Sequence, residues 1–263
     1  MSAEKLPEKV SEEGTMSLAG HLQELRRRLV ISVTAILGFS VLAFIFIQKF
    51  VDLMLRLSEQ FSFVYLTPAE LVTAYLKLSV ILGLVFASPI ILWQVWAFVR
   101  PGLTDGERRS GLAALVAGFG FFLLGALFCY VVVLPMTLSF FYGFNASTDI
   151  TASISFNSYM TFVLGMLVVF GAVFEMPVLS FMLGRFGVIK AQWLRKGRKY
   201  AILIIFVVAA IITPPDAVSQ IMTAIPMLAL YELSAFVCAR AEKMRPAETQ
   251  DETAETEETA KTT

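Results

Sequence analysis

From Leu29 to Ile47, and again from Gly111 to Leu134, no residue carries a charge. An apolar run of about 20 residues is the length a helix needs to cross the hydrocarbon core of a bilayer. Three further segments share that character: Tyr75–Val99, with Lys77 near its start, Tyr159–Gly184 and Ala217–Val237. A shorter apolar segment, Ala201–Ile212, precedes the last. At membrane depth no water satisfies backbone polar groups, so each segment must bond to itself as a helix. Over 263 residues the chain is 57% apolar and 16% charged, outside the range of a soluble domain. The expected fold is an all-α polytopic membrane protein. Six transmembrane helices are expected, with the fifth and sixth forming a short hairpin.

The chain divides into a polar N-terminal segment, 1–28, a membrane domain, 29–239, and a tail, 240–263. The tail is rich in Thr and Glu with almost no large apolar residues, and is expected to be disordered. The first span is too long and too far into the chain for a signal-peptide core, and no cleavage pattern follows it, so it is expected to be retained. With the N-terminus placed inside, eighteen of the 21 lysines and arginines fall on the inner side. Only Lys49, Arg56 and Lys77 fall outside, which predicts that both termini are cytoplasmic. Residues 48–70 and 135–158 are expected as outer loops, the second bearing interfacial aromatics at Phe140, Phe141, Tyr142 and Phe144. Gly111, Gly118 and Gly125 recur at seven-residue spacing and invite a close helix neighbour.

The inner stretch Trp93–Arg109, WQVWAFVRPGLTDGERR, is a short charged loop between two spans. Pinned at both ends, it presents its side chains in a fixed pattern at one membrane surface. Glu107 lies in it, and Glu24 lies on the same face before the first span. Two carboxylates beside the apolar Phe98 and Leu103 suit a ligand with guanidinium groups and an apolar segment. A plain surface pairing of Glu107 with Arg100, Arg108 or Arg109 is the competing account, worth about 0–1 kcal/mol.

Two features are costly at membrane depth. Glu175 sits well inside its span, where a charged carboxylate facing lipid costs at least a few kcal/mol. It serves either a functional intramembrane site or a polar contact between helices. The neighbouring Pro177 leaves the carbonyl of Val173 without its usual donor. The Ala201–Ile212 span reaches about 18 Å at ~1.5 Å per residue, against a core of about 30 Å. The turn Thr213-Pro214-Pro215-Asp216 then sits below the far surface, and Thr213, Asp216 and Gln220 form a polar cluster there. Asp216 capping the next helix and the cluster binding a partner are compatible readings.

One histidine, His21, and two cysteines, Cys129 and Cys238, make no metal-ligand set. The cysteines are expected as small apolar residues. Walker A and G-x-G-x-x-G patterns are missing from the sequence, so no cofactor, metal or nucleic-acid surface is expected.

Six motifs in order closely resemble the TatC family. They are HLQELRRRL at His21–Leu29, LTPAE at Leu66–Glu70, SPIILWQVWAFVRPGL at Ser88–Leu103, GERR at Gly106–Arg109, FEMPV at Phe174–Val178 and TPPDAVSQ at Thr213–Gln220. The resemblance runs from about His21 to Ala239. It implies the multispanning receptor of the twin-arginine translocation system in a bacterial inner membrane. Such a protein is not an enzyme. It binds signal peptides bearing two consecutive arginines and works with single-span TatA/TatB partners. Folded proteins are moved on the proton-motive force, and self-association into a larger complex is implied as well. The resemblance places peptide contacts on Glu24, Arg26, Phe98, Leu103 and Glu107, the intramembrane glutamate on Glu175, and partner contacts on Thr213 and Gln220 beside Asp216. Family members often carry a proline in the first outer loop. Asp52–Ser62 has none, which bears on the shape of that loop.

A proton-coupled solute carrier is the alternative, since six spans split into halves of inverted topology and an intramembrane glutamate suits proton coupling. The two halves share no motifs, however. An intramembrane enzyme would need a nucleophile–base pair or a metal set that the sequence does not offer.

Overall fold

The computed structural model describes residues 18–58, 61–100, 105–144 and 153–244. Nine α-helices lie in those residues: α1 (Leu18–Ile45), α2 (Ile47–Leu55), α3 (Pro68–Val99), α4 (Asp105–Phe128), α5 (Leu134–Phe144), α6 (Phe156–Arg185), α7 (Ala191–Lys196), α8 (Arg198–Ile212) and α9 (Ala217–Glu242). Two three-residue strands, β1 (Ser62–Val64) and β2 (Ser153–Ser155), pair in parallel. Among the described residues, five helical segments are long and apolar enough to cross a bilayer: Leu22–Ile45, Pro68–Phe98, Gly111–Gly143, Phe156–Arg185 and Ala217–Glu242. Their outer faces carry exposed aliphatics, such as Leu37 at 60% and Val116 at 68% exposure, as lipid contact requires. Helix α8, at 15 residues, falls short of that length. The fifth apolar segment is therefore a helix of about 22 Å at ~1.5 Å per residue.

Helix α6 is the centre of the bundle. It packs against α3, α4 and α9, and its Met160, Val163, Met166 and Phe170 are wholly shielded. Small residues set the closest approaches. A Cβ at Gly125 of α4 would stand 2.6 Å from the Phe170 carbonyl oxygen, and one at Gly118 would stand 2.9 Å from Glu175 Oε2. The glycine spacing in α4 thus does what its period predicts, with α6 as the neighbour. Gly111, the third of the set, instead meets the Trp96 ring of α3, whose atoms would lie 1.9 Å from an added Cβ. Apolar surface gives helices no special attraction in lipid, so this contact at backbone distance is what dispersion requires. Cys238 of α9 fits against Gly184 in the same way, and both cysteines are buried. Gly187 adopts φ 73°, a left-handed cap that ends α6 by letting the Val188 N–H reach the Leu183 carbonyl at 2.9 Å.

The segments expected as outer loops hold more structure than the sequence reading allowed. Most of α2 falls within residues 48–70, because Ile47, Val51 and Met54 recur at helical spacing and bury one face. The third span does not end at Leu134. It passes through a π-helical turn, Cys129–Val133, and continues as α5 to Phe144, so Phe140 and Phe141 are helical rather than in a loop. Pro135 supplies the reason. It cannot donate to the Val131 carbonyl, and the preceding turn widens so that the Leu134 N–H bonds to Cys129 five residues back.

Helices α3 and α6 begin side by side, and their caps are joined. Thr67 caps α3 by accepting from the Glu70 N–H at 3.3 Å, with Pro68 in the first turn, while Glu70 reaches back to the Leu66 N–H at 2.8 Å. The other oxygen of Glu70 accepts from the hydroxyl of Ser155, itself the cap of α6. Lys77 adds bonds of 3.1 Å to Asn157 and to Thr161. LTPAE is therefore a fastening between two spans.

Candidate functional site

At the opposite end, the start of α1 meets the end of α3. Glu24 and Arg28 are one helical turn apart, and the guanidinium of Arg28 donates through Nε to Glu24 Oε1 at 3.0 Å. A second, closer contact comes from Arg28 Nη2. The remaining Arg28 nitrogen donates to Gln94 Oε1 of α3 at 3.3 Å. Glu24 Oε2 is closed off from solvent and has no hydrogen-bond partner among the described residues. A carboxylate with one oxygen held and the other unpartnered is half of a bidentate receptor for a guanidinium. Arg26 is exposed beside it, and Phe98 is half-buried near the end of α3.

Trp96 is 6% exposed and lies on Gly111, which fixes the base of the connection between α3 and α4. Glu107 falls in the first turn of α4. Its side chain lies outside the described residues, as do those of Arg108 and Arg109 and the whole of Leu103. Sequence reasoning missed Arg28 and Gln94. The i, i+4 spacing of Glu24 and Arg28 signals the first, and nothing in the sequence alone signals the second.

Glu175, past the middle of α6, is 9% exposed and lies against Gly118. Its Oε1 has no hydrogen-bond partner among the described residues. Close by, an apolar cavity of about 390 Å³ opens between α4, α6 and α9, lined by Ala114, Ala117, Pro177, Val178 and Leu233 among others. Pro177 and Val178, next along α6, line that groove.

The third cluster shapes the α8–α9 hairpin. Asp216 caps α9, accepting from the Ser219 N–H at 2.7 Å and from its hydroxyl. The Thr213 hydroxyl donates to the Ala209 carbonyl at 2.9 Å, and Gln220 Nε2 donates across the hairpin to the Phe206 carbonyl at 2.9 Å. Both hydrogen bonds lie within the hairpin. The outer face of α8 is an apolar ridge of Leu203, Val207 and Ile211, exposed at successive turns.

Residues 20–226 match the family model described as Sec-independent protein translocase protein (TatC). The chain is 37% identical over 229 residues to a Sec-independent protein translocase protein TatC of Carboxydothermus hydrogenoformans, covering 86% of this chain and 94% of the relative. It is 40% identical over 227 residues to the TatC of Aquifex aeolicus, covering 84% and 94%. A crystal structure described as the twin-arginine translocase receptor TatC superposes with a TM-score of 0.78 at 39% identity. That match covers 84% of this chain and 99% of the solved one.

Proposed function

The chain belongs to the TatC family of Sec-independent protein translocase proteins, and on that premise we propose that it is the core receptor that binds twin-arginine signal peptides at its cytoplasmic end. The observation that carries this reading is Glu24, a shielded carboxylate with one oxygen on Arg28 and the other unpartnered. Glu107 on the first turn of α4 supplies the second carboxylate, and Phe98 and Leu103 take the apolar residues beside the arginines. The test is a photo-reactive twin-arginine peptide added to the purified protein. Adducts should concentrate on residues 22–28 and 94–109. Adducts confined to the other end of the bundle would refute the site.

In this reading the chain spans the inner membrane six times, with residues 1–28 and 240–263 as cytoplasmic segments. Helix α8 crosses as a short fifth span in a locally thinned bilayer. The basic residues support that orientation. In a background with Cys129 and Cys238 replaced, single cysteines at positions 100 and 190 should resist an impermeant thiol reagent added to spheroplasts. Labelling at 190 from outside would invert the topology.

The small single-span partners dock on the hairpin, and transport of folded cargo draws on the proton-motive force. Thr213, Asp216 and Gln220 hold the hairpin in shape, and Leu203, Val207 and Ile211 meet the partner helix. Crosslinkers at 207 and 211 should capture the partner, and Gln220→Leu should reduce the yield several-fold, since an interhelical hydrogen bond in lipid is worth about 0.6–2 kcal/mol. Capture only from α4 would count against the hairpin.

A further inference from the structure

A cavity of about 760 Å³ lies at the end opposite Glu24 and belongs to none of these sites. Its walls are Phe39, Leu42 and Phe46 of α1 and the residue after it, Phe50 and Leu53 of α2, and Phe86 of α3. Phe86 anchors the floor, 6.4 Å from the Phe39 ring and 6.1 Å from the Phe50 ring between centroids. Both Phe39 and Phe86 lie well inside their spans, so the floor is at membrane depth.

The rim is different. Lys49, Asp52 and Arg56 line it and are exposed. With Leu53 they recur along α2 at helical spacing, opposite the buried face of Ile47, Val51 and Met54. No salt bridge among the described residues engages Lys49 or Arg56. The Lys49 ammonium lies over the Phe46 ring, 5.7 Å from its centroid. Lys77, the other outer cation, is occupied by Asn157 and Thr161. The two remaining outer cations therefore both face one groove.

An aromatic floor in the hydrocarbon and a rim of two cations and one carboxylate at the interface match the layout of a phospholipid. We propose that this groove is a binding site for one anionic phospholipid, its acyl chain on Phe39, Phe50 and Phe86 and its phosphate between Lys49 and Arg56. The rim's single net positive charge complements a singly charged headgroup. Asp52 accepts hydrogen bonds from headgroup hydroxyls and disfavours more highly charged lipids. The occupant would wedge α2 against the α1–α3 pair.

The experiment is native mass spectrometry of the purified full-length protein titrated with phosphatidylglycerol or phosphatidylcholine, with a thermal-shift series alongside. The native protein should retain one phosphatidylglycerol in preference to phosphatidylcholine. Lys49→Gln with Arg56→Gln should weaken that retention roughly thirty-fold, from about 1 kcal/mol for each basic residue near the membrane surface. Lys196→Gln with Lys199→Gln removes the same charge at the other end and should leave it unchanged. Leu42→Trp, at an exposed wall position, should lose the lipid while keeping both cations. Equal retention by the Lys49/Arg56 variant would overturn the proposal. So would equal stabilisation by glycerol phosphate, which would make the site a simple anion site. A change of oligomeric state in these variants, with lipid number unchanged, would overturn it in favour of a second copy in the groove.

Discussion

Glu107→Ala is expected to abolish or sharply weaken binding of a twin-arginine peptide. An arginine presents a planar fork that meets a carboxylate at two points, and a lysine presents only a point charge. A hydrogen bond to a charged group is worth about 1.5–3 kcal/mol, and the low end, for a site bordering water, is roughly tenfold in affinity per contact. Arg28 sharpens the expectation. It already holds one oxygen of Glu24, so an incoming arginine must share that carboxylate or displace its resident partner. Glu107 then carries more of the net gain than Glu24. Arg28→Gln should tighten binding, because it frees Glu24 and removes a repelling charge. A Lys-Lys peptide should bind the native protein less well than Arg-Arg, and the Glu107→Ala variant should discriminate less. Phe98→Ala should weaken both peptides alike. The readout is peptide affinity across this matrix, and undiminished Arg-Arg preference in Glu107→Ala would place recognition elsewhere.

Glu175→Leu should separate stability from transport. A buried carboxyl oxygen without a partner costs about 1–3 kcal/mol, and Glu175 Oε1 is such an atom among the described residues. Leucine removes that cost in a site walled by Gly118 and apolar side chains, so the variant should melt at a higher temperature than the native protein. Transport should nevertheless be lost, because the polar group that a peptide or partner helix meets there has gone. Glu175→Gln keeps hydrogen bonding without charge and should fall between the two. Native transport by the leucine variant would reduce Glu175 to a scaffold residue.

The long spans were legible because lipid leaves the backbone one solution, and length and charge then mark each helix. The glycine period in α4 was legible for the same reason: a helix face with small residues has few uses besides close packing. What escaped were elements fixed by distant partners. Helix α2 is only nine residues long, and its amphipathic pattern has meaning only against the core that the longer helices share. The continuation of the third span past Pro135 depends on a π-turn that no periodicity announces. LTPAE reads as a helix start, yet the use of its glutamate becomes visible only when Ser155 is beside it. At the recognition end, Glu24 was named from the chain and the resemblance, whereas its tie to Gln94 required the α1–α3 packing.

The clasp between Glu70 and Ser155 joins residues 85 apart, and the β1–β2 pair lies beside it. During synthesis the first half of the protein must therefore enter the membrane with this end unfinished. Helices α1 and α3 can pair as soon as both have emerged, but the cap of α3 keeps an open carboxylate oxygen until the start of α6 arrives. Assembly of the two halves thus has a checkpoint at a defined chain length, before which the α1–α3 pair is an intermediate exposed to quality control. A cysteine pair at 63 and 154 should form a disulfide in ribosome-bound chains that have released α6 into the bilayer and not in shorter ones. If the shorter chains crosslink equally well, the halves do not wait for each other.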